Sequence, residues 1–175
     1  MNSLLLYFYA IICVFVPSTR FFGLKRWLLR LAGAKIEEGV RCASSTRFQL
    51  QGDLTIGADT WIGHDVLVVG GDASISVGKY CDIAPRVTIA TGTHRVDPTG
   101  LRVAGDGYSL PVQIGDGCWI GTGAILLGGT IIGANSVIAA GAVVKGEFPA
   151  RTLIGGVPAR VIRSVDELHA HDGRA

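Results

Sequence analysis

The chain is poor in charge and in long apolar runs. Charged side chains make up 17% of its 175 residues and the formal net charge is +2, which excludes a disordered chain and implies no polyanionic partner. No run of Lys or Arg interleaved with aromatics is present, so nucleic acid is not an expected partner. The apolar run from Leu4 to Val16 has 13 residues, whereas a membrane span needs about 20. No basic residue precedes that run and no small-x-small cleavage pattern follows it, so a signal peptide fits badly. The four cysteines form no Cys-x-x-Cys pair and no Cys/His metal spacing.

What is present is a period. Between Ile56 and Val144 an aliphatic residue, usually followed by Gly or Ala, returns every six residues, as in Ile114-Gly115, Ile120-Gly121, Leu126, Ile132-Gly133, Ile138-Ala139 and Val144. That spacing belongs to neither an amphipathic helix nor an alternating strand; it is the mark of a hexapeptide β-solenoid. Four places after each aliphatic residue stands a small or β-branched one, as at Val40, Thr60, Cys81, Thr93, Cys118 and Ala142. One large and one small inward position per hexad fit a narrow coil. The Gly or Ala after the aliphatic residue is expected to turn the corner through positive φ. Three hexads make a triangular coil, and stacking buries an aliphatic column that no single coil buries alone. Counted from Ile36, the register gives about five coils within residues 36–150. Cys42, Cys81 and Cys118 fall on inward positions, so buried thiols are expected rather than disulfides, compatible with a reducing cytoplasm.

The departures from the period are equally informative. The large residues fall at 36, 42, 48, then 56, 62, 68, then 77, 83, 89, then 114, 120, 126, then 132, 138, 144. Extra residues therefore enter after every third hexad, near Gln49, around Gly70-Gly71-Asp72, and in a long loop over 91–112. All leave the solenoid at one edge, and insertions clustered on one face of a repeat array often form its binding face. The titratable candidates there are Asp72 and His94. Coils stack about 4.8 Å apart, which lets the two side chains face one pocket. A neutral imidazole beside a carboxylate has the protonation state a general base needs. A loop histidine bonded to carbonyls and an aspartate in a turn is the other reading of the same spacing.

Residues 1–35 form an apolar and basic segment in which Arg20, Lys25, Arg26 and Arg30 follow the apolar run among Phe21, Phe22, Trp27, Leu28 and Leu29. Two readings stand open: a helix packed on the solenoid, plugging its end or joining subunits, or residues 1–30 lying in a membrane interface. In residues 151–175, Ser164-Val165-Asp166-Glu167 has capping-box form and predicts a short helix over the last coil. His169 and His171 beyond it are expected to be solvated.

Thr91-Gly92-Thr93-His94, Asp97-Pro98, Pro111-Val112-Gln113-Ile114-Gly115-Asp116-Gly117-Cys118-Trp119-Ile120-Gly121 and Gly155-Gly156-Val157-Pro158-Ala159-Arg160 together resemble the hexapeptide-repeat acyltransferases. The resemblance is strongest to the maltose, galactoside, nodulation-factor and exopolysaccharide O-acetyltransferases. It implies an all-β, left-handed parallel β-helix assembled as a homotrimer with active sites between subunits. It also implies an acetyl-coenzyme A donor lying along the solenoid, no required metal, and direct attack by a sugar hydroxyl that His94 deprotonates. Asp72 then matches a sugar-binding acid and Trp119 the tryptophan beside the reaction centre. Thr122 and Ala140 match pantetheine contacts, and Arg160 a basic residue near the nucleotide phosphates. Two positions depart from the pattern. His64 stands where the sugar enzymes carry an acceptor-contacting Asn, and Lys145-Gly146 moves a basic residue back by one from its usual place near coenzyme A. The implied acceptor is a surface polysaccharide, glycolipid or oligosaccharide, acetylated in the cytoplasm or at the inner face of the membrane. N-acetylation of a nucleotide-linked amino sugar is the alternative. A zinc enzyme of the γ-carbonic-anhydrase type would need a second histidine five places after His94, where Thr99 stands.

Overall fold

The computed structural model describes residues 1–167. The first three coils run through Lys35–Ile36, Arg41–Cys42 and Arg47–Leu50, then Leu54–Ile56, Trp61–Ile62 and Leu67–Gly70, then Ile75–Val77, Asp82–Ile83 and Thr88–Ala90. The fourth and fifth run through Val112–Ile114, Trp119–Ile120 and Ile125–Leu127, then Ile131–Ile132, Val137–Ile138 and Val143–Val144. Each strand pairs in parallel with its equivalent one coil on, which gives three sheets, named A, B and C in the order the chain visits them. The result is a left-handed parallel β-helix.

A partial sixth coil extends the expected count. Glu147–Phe148 pairs with Ile131–Ile132, and Ile154, within Thr152–Gly156, lies opposite Ile138. Phe148 and Ile154 keep the six-residue spacing, but the corner after Val144 is shortened by two, so a count in sixes loses the chain just where it continues. The strand Ala159–Ser164 then turns back antiparallel along Thr152–Gly156 and ends sheet B. Ser164 Oγ accepts the Asp166 N–H at 3.2 Å. The remainder of the expected C-terminal helix, with His169 and His171, lies outside the described residues.

Every large inward residue from Ile36 to Val144 is at most 5% exposed. The small inward positions do more than fill space. Thr46, Thr60, Thr130 and Ser136 donate to the Gly63, Gly78, Val144 and Pro149 carbonyls at 2.8–3.2 Å. In each case the acceptor lies one coil on, so buried hydroxyls, which need a partner, fasten successive coils together. Cys81 and Cys118 repeat the pattern on the Gly115 and Gly133 carbonyls at 3.2 and 3.3 Å. All four cysteines are buried free thiols; burial pushes the Cys42 thiol up to about 12. Thr93 is the exception among the small positions, because the chain leaves the coil at buried Thr91 and carries Thr93 out with it.

The corner glycines work differently from the expectation. Gly57, Gly63, Gly78, Gly115, Gly121 and Gly133 do not have positive φ. A Cβ on Gly121 would lie 2.6 Å from the backbone of the next coil, so glycine is required there for close coil-to-coil approach. Positive φ instead occurs three places after the large residue, at Gly39, Asp59, Asp65, Tyr80, Arg86, Gly117, Gly123, Asn135 and Gly141.

Two helices cover the first coil. Helix α1, Ser3–Phe15, is capped by Asn2, whose side chain accepts the Leu4 and Leu5 N–H groups. It buries Leu6, Tyr9 and Cys13, spaced along one face, with the Tyr9 ring edge-on to Phe48 at 5.7 Å. Helix α2, Phe22–Leu31, buries Leu28 and Leu29. Each fully buried leucine contributes on the order of 1.5–3 kcal/mol. Lys25 is also buried, and its ammonium donates to the Ser18 and Cys42 carbonyls at 2.7 and 3.1 Å. The helices therefore plug the open end of the prism, as the packed reading expects. Yet Leu4, Tyr7, Phe8, Ile11, Val14 and Phe15 form an exposed apolar stripe on the far face of α1, and Phe21, Leu24, Trp27 and Leu31 extend it along α2.

Candidate active site

The three insertions leave the prism at the edge between sheets C and A. The longest is a β-hairpin, in which Gly92–Val96 pairs antiparallel with Ala104–Ser109 and places His94 opposite Gly107 and Gly92 opposite Ser109. Its turn has a local cause. Asp97 Oδ1 accepts the Thr99 N–H, the Thr99 hydroxyl and the Gly100 N–H at 2.9–3.0 Å. The two N–H groups and hydroxyl hold the Asp97 carboxyl below its ordinary range.

His94 Nδ1 lies 2.8 Å from the Gly105 carbonyl oxygen. A carbonyl only accepts, so Nδ1 carries the proton, and in the neutral ring Nε2 keeps its lone pair. Gly107 lies against the ring; a Cβ there would be 3.5 Å from His94 Cε1. Asp72 enters from the insertion one coil earlier and accepts the Ser109 hydroxyl at 2.9 Å. His94, Asp72, Thr93, Tyr108 and Ser109 line one open groove of about 600 Å³. The edge thus brings together the two residues that the interruptions of the period single out. It adds Ser109 and Tyr108 from the returning strand, which no spacing in the sequence marked.

The other candidates lie elsewhere on the same chain. His64, Thr122 and Ala140 occupy equivalent corners of the second, fourth and fifth coils, in a column along the edge between sheets B and C. Gly141, the neighbour of Ala140, donates its N–H to the Thr122 carbonyl at 2.9 Å, which ties the fourth corner to the fifth. His64 Nδ1 lies 3.1 Å from Ser18 Oγ. Trp119 stands on the outer face of sheet B, 56% exposed, between Asp82 and Val137 in the ladder. In a triangular prism that face is opposite the edge carrying His94. Lys145 is exposed at the C–A corner after the fifth coil. Arg160 is exposed on the final strand, with Nη1 donating to the Ala159 carbonyl at 2.8 Å. Among the described residues, no three His, Cys, Asp or Glu side chains converge to hold a metal ion.

Residues 111–146 match the family described as bacterial transferase hexapeptide (six repeats). A galactoside O-acetyltransferase of Escherichia coli is 32% identical over 144 residues, covering 82% of this chain and 70% of that one. Among solved structures, the hexapeptide-repeat acetyltransferase VCA0836 of Vibrio cholerae, complexed with acetyl-coenzyme A, superposes with a TM-score of 0.69 at 26% identity, covering 93% of this chain and 86% of that one. A galactoside acetyltransferase in complex with coenzyme A does so with a TM-score of 0.64 at 26% identity, covering 95% and 80%. With the repeat, the coil register and a relative matched over 70% of its own length in agreement, the chain belongs to the hexapeptide-repeat acyltransferases.

Proposed function

We propose that this protein is an acetyl-coenzyme A-dependent O-acetyltransferase that acts on a sugar hydroxyl, with His94 as general base. The observation that carries the reading is the His94 ring itself, held through Nδ1 on the Gly105 carbonyl in the lining of the groove that Asp72 also lines, so that in the neutral ring Nε2 is the nitrogen with a free lone pair. In this mechanism Nε2 takes the proton of the acceptor hydroxyl as its oxygen attacks the thioester carbonyl carbon. The tetrahedral intermediate collapses, the C–S bond breaks, and the imidazolium returns the proton to the departing thiolate. A backbone N–H steadies the oxyanion, and no acyl-enzyme forms. Asp72, held by Ser109, binds acceptor hydroxyls.

The remaining roles require a second copy of the chain. Trp119 and the column of His64, Thr122 and Ala140 lie on the opposite face and on another edge from His94, so one protomer does not assemble the site. A homotrimer brings the sheet B side of one copy to the C–A edge of its neighbour. Trp119 and His64 then border the acceptor, Thr122 and Ala140 contact the pantetheine arm, and Lys145 and Arg160 approach the coenzyme phosphates. Among the described residues no helix is long and apolar enough to cross a membrane. The exposed stripe of α1 and α2 supports peripheral attachment to the cytoplasmic face of the membrane.

The test is product mass spectrometry after offering acetyl-coenzyme A with a panel of glycans, run beside His94→Ala. Loss of a general base costs about 10²- to 10⁴-fold in turnover, with the fold and coenzyme binding retained. Near-normal turnover in His94→Ala would sink the mechanism.

A further inference from the structure

The near-neutral total charge of this chain conceals a step. Residues 1–50 carry seven Lys and Arg against two Glu, whereas residues 51–72 carry four Asp with no Lys or Arg. The hexad arranges this step as two rings. Lys35, Arg41 and Arg47, six apart, open the three strands of the first coil, one on each face of the prism, and the positions paired with them in the second coil are Thr55, Trp61 and Leu67. Lys35 and Arg41 are exposed, and Arg47 is half-buried beside α1. Asp53, Asp59 and Asp65, also six apart, stand exposed at the three edges of the second coil. No ion pair joins the two rings among the described residues.

Beyond the cationic ring lie the two helices. Helix α1 has no charged residue among its 13, and a helix apolar on all sides belongs in an apolar environment. Its face away from the core, which includes Leu4, Phe8 and Phe15, has no cover from the described residues; Trp27 extends that face on α2 and exposed Arg20 lies in the turn between the helices. Along the coil axis the order is therefore apolar and aromatic face, cationic ring, acidic ring. A second copy seated face to face would set cationic ring against cationic ring, because a twofold interface joins identical patches. An anionic lipid surface meets the same face with complementary charge.

We propose that the helical cap docks end-on on an anionic bilayer, with α1 and α2 in the headgroup region, Lys35, Arg41 and Arg47 at the lipid phosphates, and Asp53, Asp59 and Asp65 as the limit of entry. This deepens the peripheral attachment by giving it a lipid class and an orientation. An interfacial helix enters by about 5–10 Å, close to the thickness of one helix, about 10 Å. The first coil then lies within a Debye length of the lipid charge, about 10 Å. The acidic ring, one rung of ~4.8 Å further out, is repelled by that charge. Asp72 and His94, which leave the prism after the second and third coils, remain in water above the surface. On the acetyltransferase reading, on which this last step rests, the acceptor is a glycan displayed from the membrane.

The experiment sediments the full chain with vesicles of phosphatidylcholine alone or mixed with phosphatidylglycerol, and measures acetylation of soluble glycans in parallel. Binding to the anionic vesicles is expected to exceed binding to the neutral ones by at least about tenfold and to fall with added salt. Phe8→Glu combined with Trp27→Glu should weaken binding to the anionic vesicles at least about tenfold. Lys35→Gln combined with Arg41→Gln should do the same, at roughly fivefold per cation, whereas Asp53→Asn combined with Asp65→Asn should strengthen it. Thermal melts verify that each variant folds. In vesicles containing brominated lipid, Trp27 as sole tryptophan (Trp61→Phe, Trp119→Phe) is expected to be quenched, and Trp119 as sole tryptophan (Trp27→Phe, Trp61→Phe) to be spared. No vesicle binding, equal binding to both lipid mixtures, helix variants that bind like wild type, or equal quenching of Trp119 overturns the proposal. A wild-type mass that Phe8→Glu with Trp27→Glu halves in sedimentation equilibrium, without vesicle binding, assigns the face to a second copy and overturns it too. Vesicle binding with the expected responses but no glycan acetylated upholds the docking and instead defeats the acetyltransferase reading.

Discussion

The B–C and C–A edges of the prism are built from the same hexads and carry different things. Along B–C, every corner of the five complete coils has the same length, residues 43–46, 63–66, 84–87, 121–124 and 139–142. The result is a straight column of equivalent corner residues. Along C–A, the corners range from 145–146 to the hairpin excursion over 91–111, and Asp72, His94 and the groove they line gather there. A regular edge offers an extended ligand a flat track, while an irregular edge supplies side chains at chosen heights. Concentrating the insertions at one edge leaves every ladder intact, and lengthening a loop is cheap, about 0.6 kcal/mol per doubling.

That contrast can be broken directly. One glycine inserted after Thr122, on the uniform edge, is expected to slip the following strand, driving Ile125 inward and Leu126 outward. The loss should be about 3 kcal/mol or more, given ~1.5–3 kcal/mol per misplaced aliphatic side chain, and urea unfolding would measure it. The same insertion after Gly100, at the hairpin tip, should stay within about 0.5 kcal/mol of wild type. Equal effects would mean that the edges do not differ as described.

A second pair of variants separates the two ligands. Ala140→Trp on the column should raise the KM for acetyl-coenzyme A by at least about tenfold, or 1.4 kcal/mol, and leave the acceptor KM nearly unchanged. Asp72→Asn should do the reverse by about tenfold, since a hydrogen bond to a charged group is worth roughly 1.5–3 kcal/mol. Steady-state kinetics with each substrate varied in turn would reveal a crossed pattern if the assignment is wrong.

The smallest effect concerns corners alone. Tyr80 holds φ 57° at an exposed position, and left-handed backbone costs a non-glycine residue roughly 1–2 kcal/mol. Tyr80→Gly is therefore expected to stabilise by about 1 kcal/mol, after allowing for glycine's larger unfolded-state entropy. A lowered melting temperature would show that the Tyr80 ring contributes packing there.

The stretch from Ile114 to Val144 was legible because each inward position answers to one local constraint, the width of the coil, and the residues report it without interference. Asp72 and His94 were legible as interruptions. Ser109 was not, because Ala104–Ser109 is a largely exposed strand whose register is set by pairing with Gly92–Val96 rather than by an alternation of its own. Phe148 and Ile154 escaped the count through a single shortened corner. The glycines were located correctly and explained wrongly, since a repeat in one chain does not reveal that its neighbour one coil away supplies the steric limit. The N-terminal helices bury one face in the core, as the packed reading expects, and leave the other in solvent; the interfacial reading stays a proposal.

The final strand has a consequence for assembly. Parallel coils have no inherent length, and an open end of such a ladder is a template on which another molecule can continue the stack. Here α1 and α2 cover one end. At the other, among the described residues, sheets A and C finish in two-residue strands, and sheet B finishes in Ala159–Ser164, which runs in the opposite direction and exposes Arg160 and Arg163. A short, reversed and cationic border is a poor seed for edge-to-edge growth. The described coils thus carry the repeat of a filament without leaving a parallel edge of sheet B open at that end.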